Sequence, residues 1–272
     1  MVTRPLPVSK LRARRLRRRV LLLVAAFFLF SIVVGGVVGL SWLPSLRIHT
    51  VAVSGASSVN NSVLRSMVEE SLAGTYWGVF PKNNSFLYPK SSIEKELLAA
   101  FPVFSSVEIR RLGLKTLNVT IVERTTAAFW CGDSPETPSP CFLLDGSGVA
   151  YAPAADFSGR IYISYYGPLT STNVKQFITP DGFKALSALL PALQKAARGE
   201  APTHVEVKGI DVHITFESGF TLMYSLPDNG ADVLERFSLA IKAEPFSKHT
   251  LSDFEYLDLR FGDKLYYKLK GQ

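Results

Sequence analysis

Four histidines, two cysteines and one Asp-Gly-Ser-Gly segment are the residues of this chain whose types could make or break bonds. His49, His204, His213 and His249 stand far apart, without the i, i+4 pairing that lets two imidazoles on one helix face share a zinc ion. Asp145-Gly146-Ser147-Gly148 resembles a G-x-S-x-G nucleophile elbow only loosely, and its run of turn formers reads as a hairpin turn. The acidic residues Asp253, Glu255, Asp258 and Asp263 would need a common site to act as an acid and base pair. Strand alternation scatters them over both faces instead. No glycine motif of the phosphate-cradling kind is present, and Gly35, Gly36 and Gly39 fall inside an apolar run. These residues predict no catalytic centre, no cofactor, no metal site and no small-molecule substrate.

Cys131 and Cys141 flank the segment GDSPETPSP. Its prolines suggest a hairpin loop that a disulfide would staple in an oxidising compartment; two free thiols are the other reading. Zinc would need a second cysteine pair or a nearby histidine to complete its ligands.

The compartment follows from the first 43 residues. Val20 to Leu43 contains no charged residue, and as a helix it would extend roughly 36 Å, enough to cross a bilayer. Before it, Lys10, Arg12, Arg14, Arg15, Arg17, Arg18 and Arg19 form a dense positive cluster, which the positive-inside rule holds in the cytoplasm. A basic cytoplasmic tail over 1–19, a transmembrane helix over 20–43 and an extracytoplasmic remainder are expected. A cleaved signal peptide is the competing reading: Gly39 and Ser41 would pass as a cleavage site, but the apolar run exceeds the usual length of a signal core. Gly35 and Gly39 form a G-x-x-x-G that would let a second helix approach.

Charge bookkeeping also limits the partners. Residues 1–19 hold eight of the 30 Lys and Arg and no Asp or Glu, leaving 22 basic against 23 acidic residues in the rest. The exported part is near neutral and not a polyanion binder by net charge, and the tail lacks the stacking or groove-reading residues of a nucleic-acid site.

The exported part divides by texture. Over 46–124, a short strand stops at Ser54-Gly55, and Asn60, Asn61 and Ser62 offer N-caps to a helix with Val63, Leu64, Met67, Val68 and Leu72 at helical spacing. After a loop carrying Trp77, Phe80, Pro81, Phe86 and Tyr88, Ser91 to Glu94 suggests a capping box for a second helix that Pro102 ends. Two alternating strands follow, with Val107 and Ile109 in the first and Leu117, Val119 and Ile121 in the second. The sum is β-α-α-β-β. Over 125–272, short strands alternate with turn signals at Ala127–Trp130, Phe142–Leu144, Val149–Tyr151, Ile161–Tyr165, Val205–Lys208, Val212–Phe216 and Phe220–Tyr224, so hairpins are expected to dominate. Two helices, over Pro180 to Ala197 and Ala231 to Ala243, interrupt them, and a terminal hairpin turns at Gly262-Asp263. The fold class expected is α+β: one N-terminal transmembrane helix, a β-α-α-β-β domain, then a β-rich domain with helical insertions.

Several segments, in this order, resemble one family. A basic tail and single span precede Val51-Ala52-Val53-Ser54-Gly55, a helix pair, Phe101-Pro102-Val103 and Val107-Glu108-Ile109-Arg110-Arg111. Leu117 to Arg124, Ala128-Phe129-Trp130, Leu144 to Val149 and Tyr256-Leu257-Asp258-Leu259-Arg260-Phe261 follow. The chain thereby resembles the FtsQ/DivIB bacterial cell-division proteins over nearly its whole length, with residues 46–124 resembling their POTRA domain. Thr126 stands where the family often has proline. The resemblance implies a non-enzymatic divisome scaffold in the cytoplasmic membrane, enriched at the division septum. It also implies that the C-terminal domain binds small coiled-coil partners of the FtsB/DivIC and FtsL kinds.

A physical route to such binding is strand addition, in which an exposed terminal strand accepts a partner's backbone while its side chains select the partner. The candidates are Tyr256, Arg260, Phe261, Lys264, Tyr266 and Tyr267, with Arg260 free to meet a partner carboxylate; Phe261 and Tyr266 as core residues of the hairpin are the other reading. A membrane-tethered chaperone or transport-assembly module built on the same POTRA-like fold is the competing function.

Overall fold

A computed structural model describes residues 9–137, 139–155, 162–170, 175–226 and 228–271. The chain forms two compact units, Met1–Glu123 and Arg124–Gln272.

The first unit begins with α1 (Ser9–Ser41), which continues the apolar helix back through the basic residues Arg14 to Arg19, all exposed. Among the described residues it is the one helix long and apolar enough to cross a membrane. Its apolar side chains are not covered by protein: Leu23 is 70% exposed and Phe30 66%. Beyond it, β1 (Thr50–Ser54), α2 (Asn61–Ser71), the two-residue strands β2 (Thr75–Tyr76) and β3 (Phe80–Pro81), α3 (Lys90–Ala100), β4 (Phe104–Leu112) and β5 (Thr116–Glu123) follow in order. The sheet order is β1-β5-β4, with β1 parallel to β5 and β4 antiparallel to it.

Helical periodicity and strand alternation meet in one core. Leu64 and Val68 of α2 and Ile93 and Leu97 of α3 pack with Ile109, Leu117, Val119 and Ile121 from the sheet. Asn60 caps α2 by accepting from the Ser62 amide at 2.9 Å. The capping box expected at α3 is absent: the helix starts at Lys90 behind Pro89, with no side-chain cap. Glu94 instead accepts from the Ile109 amide at 3.0 Å, so its carboxylate joins the helix to β4 rather than closing its own N-terminus.

The end of β5 is tied back to the segment after β1. The Glu123 carboxylate accepts from the hydroxyl and amide of both Ser57 and Ser58, the two amides each at 2.8 Å. The Ser57 hydroxyl, then the Ser58 amide, hold this carboxyl down from 4.5 to about 2, against a small opposing effect of burial. A folded pKa below the unfolded one contributes stability at pH above the unfolded value, and the contribution fades as pH falls toward the folded value. The first unit should therefore lose stability between about pH 4.5 and pH 2. In acid titrations followed by circular dichroism, Glu123→Gln should be less stable at neutral pH and show a flatter dependence across that window; identical profiles would refute the linkage.

The second unit consists of β6 (Thr126–Trp130), β7 (Phe142–Asp145), β8 (Ala150–Pro153), β9 (Ser164–Tyr166), α4 (Pro180–Ala196), β10 (Pro202–Lys208), β11 (Asp211–Phe216), β12 (Thr221–Ser225), α5 (Gly230–Lys242), β13 (Phe254–Phe261) and β14 (Lys264–Leu269). One nine-stranded sheet holds them in the order β14-β13-β12-β11-β10-β9-β6-β7-β8. The strand expected over Ile161–Tyr165 begins outside the described residues and is found at Ser164–Tyr166.

Hairpins do not account for this sheet alone. β9 with β10, β12 with β13 and β6 with β9 pair in parallel. A parallel neighbour needs a crossover, and α4 and α5 supply it between β9 and β10 and between β12 and β13. The two helices expected as insertions are thus the connections that make the sheet mixed. Phe183, Leu186, Leu190 and Leu193 of α4 and Val233, Phe237 and Ile241 of α5 pack with sheet residues such as Val205, Ile214, Leu222 and Leu257.

Asp145-Gly146-Ser147-Gly148 is a structural turn. Asp145 accepts from the Ser147 amide (2.8 Å), the Ser147 hydroxyl (2.7 Å) and the Val149 amide (3.0 Å), while its other oxygen takes the Arg124 guanidinium. Burial alone would raise this carboxyl, but the Val149 and Ser147 donors and Arg124 outweigh it and leave it below the ordinary value. The Ser147 hydroxyl is spent on Asp145. This ion pair also joins Arg124 to the second unit, one residue before the boundary drawn from sequence texture.

Candidate partner-binding edge

β14 closes one side of the nine-stranded sheet, and among the described residues it is hydrogen-bonded to β13 on one flank only. From Lys264 to Lys268 every residue is exposed. Gly262, at φ +62°, and Asp263 form the two-residue turn between the strands, a geometry that favours glycine.

The ladder identifies which backbone groups face outward. Register shifts fall where β13 carries the extra residue, so β14 runs regularly from Lys264 opposite Phe261 to Leu269 opposite Phe254. Just past its end the Lys270 amide donates inward to the Asp253 carbonyl at 2.8 Å. Backbone direction alternates along a strand, so the amides of Lys264, Tyr266 and Lys268 also point to β13. Those of Leu265, Tyr267 and Leu269 point away from the sheet. That is a short row of donors and acceptors open to another strand.

The side chains around this edge fall into two groups. Phe261, 55% exposed, meets Tyr266, 49% exposed, edge to face at 5.1 Å, so both are surface residues rather than core. Tyr267 packs edge-on against Phe246 at 5.6 Å and Phe254 at 6.0 Å, which anchors the strand to buried aromatics while part of the ring stays exposed. Leu265, 44% exposed, lies on the same face of β14 as Tyr267 and on the opposite face from Tyr266. It is absent from the sequence-derived candidates because a lone leucine in an alternating strand gives no sign of lying at a sheet edge.

Two candidates take different places from those expected. Tyr256 lies on β13, paired with Thr221 of β12 and Lys268 of β14, so its backbone is enclosed between neighbours. Arg260 is held internally. Its Nε and Nη2 donate to Asp258 at 2.9 and 2.6 Å, its Nη1 donates to Asp211 at 2.5 Å, and its amide donates to Asp258 at 3.0 Å. A strand places residues i and i+2 on one face, which puts Asp258 beside Arg260; Asp211 comes from a distant strand. Any outside carboxylate would compete with two inside ones. Arg260 therefore acts as a support, its guanidinium 5.8 Å from the Phe261 ring centre.

No protein-family model matches the chain, and no curated protein matches it.

Next to this support, His213 sits below its ordinary pKa, first through burial and then through Lys208, with Glu206 opposing. It is therefore mainly neutral near pH 7. On the flanks of the edge, Lys268 pairs with Glu255 at 2.6 Å and Lys264 is exposed. Away from β14, a shallow groove of about 390 Å³ is lined by Tyr162, Tyr166, Thr203 and His204 among others, with the His204 ring edge-on to Tyr166 at 5.8 Å. Among the described residues no group of three His, Cys, Asp or Glu is placed to hold a metal ion. Cys131 and Cys141 are joined in a disulfide, closing the loop between β6 and β7.

Proposed function

We propose that this chain is a single-pass scaffold of the bacterial division machinery, and that β14 captures a strand from a small coiled-coil division protein of the FtsB/DivIC or FtsL kind. The open edge at β14 carries this reading. Its outward backbone groups supply affinity, and Phe261, Leu265, Tyr266 and Tyr267 supply the aromatic and apolar surface that interface centres favour. Lys264 suits a partner segment bearing carboxylates.

The other parts of the reading have their own support. The uncovered apolar surface of α1 suits lipid, and the positive cluster ahead of it orients the N-terminus toward the cytoplasm. Apart from the small β2–β3 hairpin between the helices, the order β1-α2-α3-β4-β5, with its three-stranded sheet, supports the POTRA likeness of the first unit. That same order also favours the competing reading, a tethered chaperone or transport-assembly module. The two separate in the cell: a fluorescent fusion of the full chain should concentrate at mid-cell during constriction, whereas uniform envelope labelling would remove the divisome reading.

A further inference from the structure

The outer end of α1 is not a bare tether. The Trp42 indole donates to the Val79 carbonyl at 2.8 Å, and the Asn84 side chain donates to the Ser41 carbonyl at 2.9 Å. Segment 75–88 is thereby fastened to the last turn of the helix. Ile48 donates to the Asn83 carbonyl and Ser85 to the Leu46 carbonyl, at 2.7 and 2.8 Å, so the fastening extends along the chain.

What this segment shows to solvent is costly in water. Trp77 is 90% exposed at the tip of the β2–β3 hairpin, and Phe86 is 64% exposed. Val79, Leu87 and Leu114 add exposed apolar surface. Trp77 also has φ +50°, followed by Gly78 at +73°, with the Val79 amide donating to the Tyr76 carbonyl at 2.9 Å. Such a turn favours asparagine and glycine, because a bulky side chain at positive φ is strained. A large aromatic is therefore held in an unfavourable backbone conformation with its ring projecting from the protein.

Charge around the patch is mainly positive, with Glu94 pairing to Lys90 at 3.7 Å and Glu108 to Arg110 at 2.7 Å at its margin. Segments 42–50, 72–92 and 110–116 contain Arg47, Lys82, Lys90, Arg110, Arg111 and Lys115 and no Asp or Glu. Hydrogen bonds bring the three segments together: the His49 amide donates to the Lys115 carbonyl at 2.8 Å, and the Arg111 guanidinium donates to the Ser85 carbonyl at 2.9 Å. Arg111 lies over the Phe86 ring at 4.5 Å and Arg47 over Trp42 at 5.6 Å.

We infer that this face is a second membrane contact, in which the Trp77 turn and Phe86-Leu87 rest in the headgroup zone of an anionic bilayer and Arg47, Lys82, Arg111 and Lys115 meet lipid phosphates. The inference rests on α1 crossing the membrane. Given that, geometry demands proximity. An apolar run of roughly 36 Å exceeds a hydrocarbon core of about 30 Å, so its Trp42 end lies at the interface. Trp77 is two residues from the carbonyl bonded to Trp42, a backbone reach of at most ~7 Å. Trp rings favour that zone, where an apolar body and a polar N–H are both satisfied. Basic side chains add attraction to an anionic surface. The occupant that suits an exposed aromatic turn, a cationic rim and continuity with a membrane helix is the lipid surface.

The test uses the full chain carrying fluorotryptophan, reconstituted in phosphatidylglycerol nanodiscs with a nitroxide-bearing lipid labelled near the headgroup. Single Trp→Phe variants assign the fluorine resonances of Trp42, Trp77 and Trp130, the third by elimination if one variant fails to fold. The proposal expects both Trp42 and Trp77 to lose most of their intensity relative to nanodiscs without the nitroxide. If Trp42 is attenuated while Trp77 keeps its intensity, the span is inserted and the second contact is wrong, leaving the face to a protein partner. If neither is attenuated, the membrane-anchor reading falls with it.

Discussion

Leu265→Pro should weaken strand capture at β14 by one to two orders of magnitude while leaving the second unit folded. Proline removes one backbone donor, and the effect depends on which side of the strand that donor faces. At Leu265 the amide points away from β13, because the Lys270 amide points inward and β14 carries no extra residue between them. The substitution leaves the β13–β14 ladder whole. What disappears is one outward hydrogen bond, and the ring also obstructs an incoming backbone. At about 1 kcal/mol for a lost hydrogen bond and a similar amount for poor approach, affinity should fall by one to two orders of magnitude. Calorimetry of the full chain in detergent against the extracytoplasmic segment of the coiled-coil partner would measure it. Leu265→Ala separates the side chain from the amide and should cost much less. Tyr266→Pro reverses the pattern, since its amide serves the ladder: it should lower stability. Undiminished binding by a folded Leu265→Pro chain would rule out strand addition, whatever its side chains contribute.

The same edge marks how far the sequence could be read. Alternation predicts a hairpin at 254–269 and its turn at Gly262-Asp263, because both are local. That β14 lies outermost depends on β13 pairing with β12 across the whole of α5, a parallel contact that no period-two pattern encodes. Arg260 was half legible. Its neighbour Asp258 is two residues away on the same strand face, whereas Asp211 arrives from β11. The first unit is more transparent because most of its elements are amphipathic and follow in chain order, apart from β1 joining β5 at the centre of the sheet. Its β2–β3 hairpin is not legible in the sequence, because a two-residue strand is too short to show a period. The Trp77-Gly78 pair was the available signal, and an aromatic beside a glycine in a loop is weak without the positive φ at both positions.

Gly55→Ala should destabilise the first unit by about 3 kcal/mol or more, through two effects that act together. The residue has φ +89°, a conformation L side chains rarely adopt, and an added Cβ would sit 2.0 Å from the Ile121 carbonyl oxygen. That oxygen belongs to β5, the central strand, whose register with β1 places Ser54 opposite Thr120. It cannot retreat without disturbing the ladder that carries Val119 and Ile121, both in the core. The Val-Ser-Gly ending of β1 is thus a demand for close backbone approach, not merely a turn signal. Gly113→Ala provides the calibration. Its φ is +67°, but nothing lies within 4 Å of an added Cβ, so only conformational strain applies and about 1 kcal/mol is expected. Hydrogen exchange in the full chain, read at the amides of Val119 and Ile121, would report both. A much larger loss of protection for Gly55→Ala than for Gly113→Ala identifies the steric term, whereas equal losses would reduce the Gly55 requirement to backbone conformation alone. Amide protection in the β13–β14 hairpin should remain unchanged in either variant, because the second unit has its own core and does not draw on the β1–β5 approach.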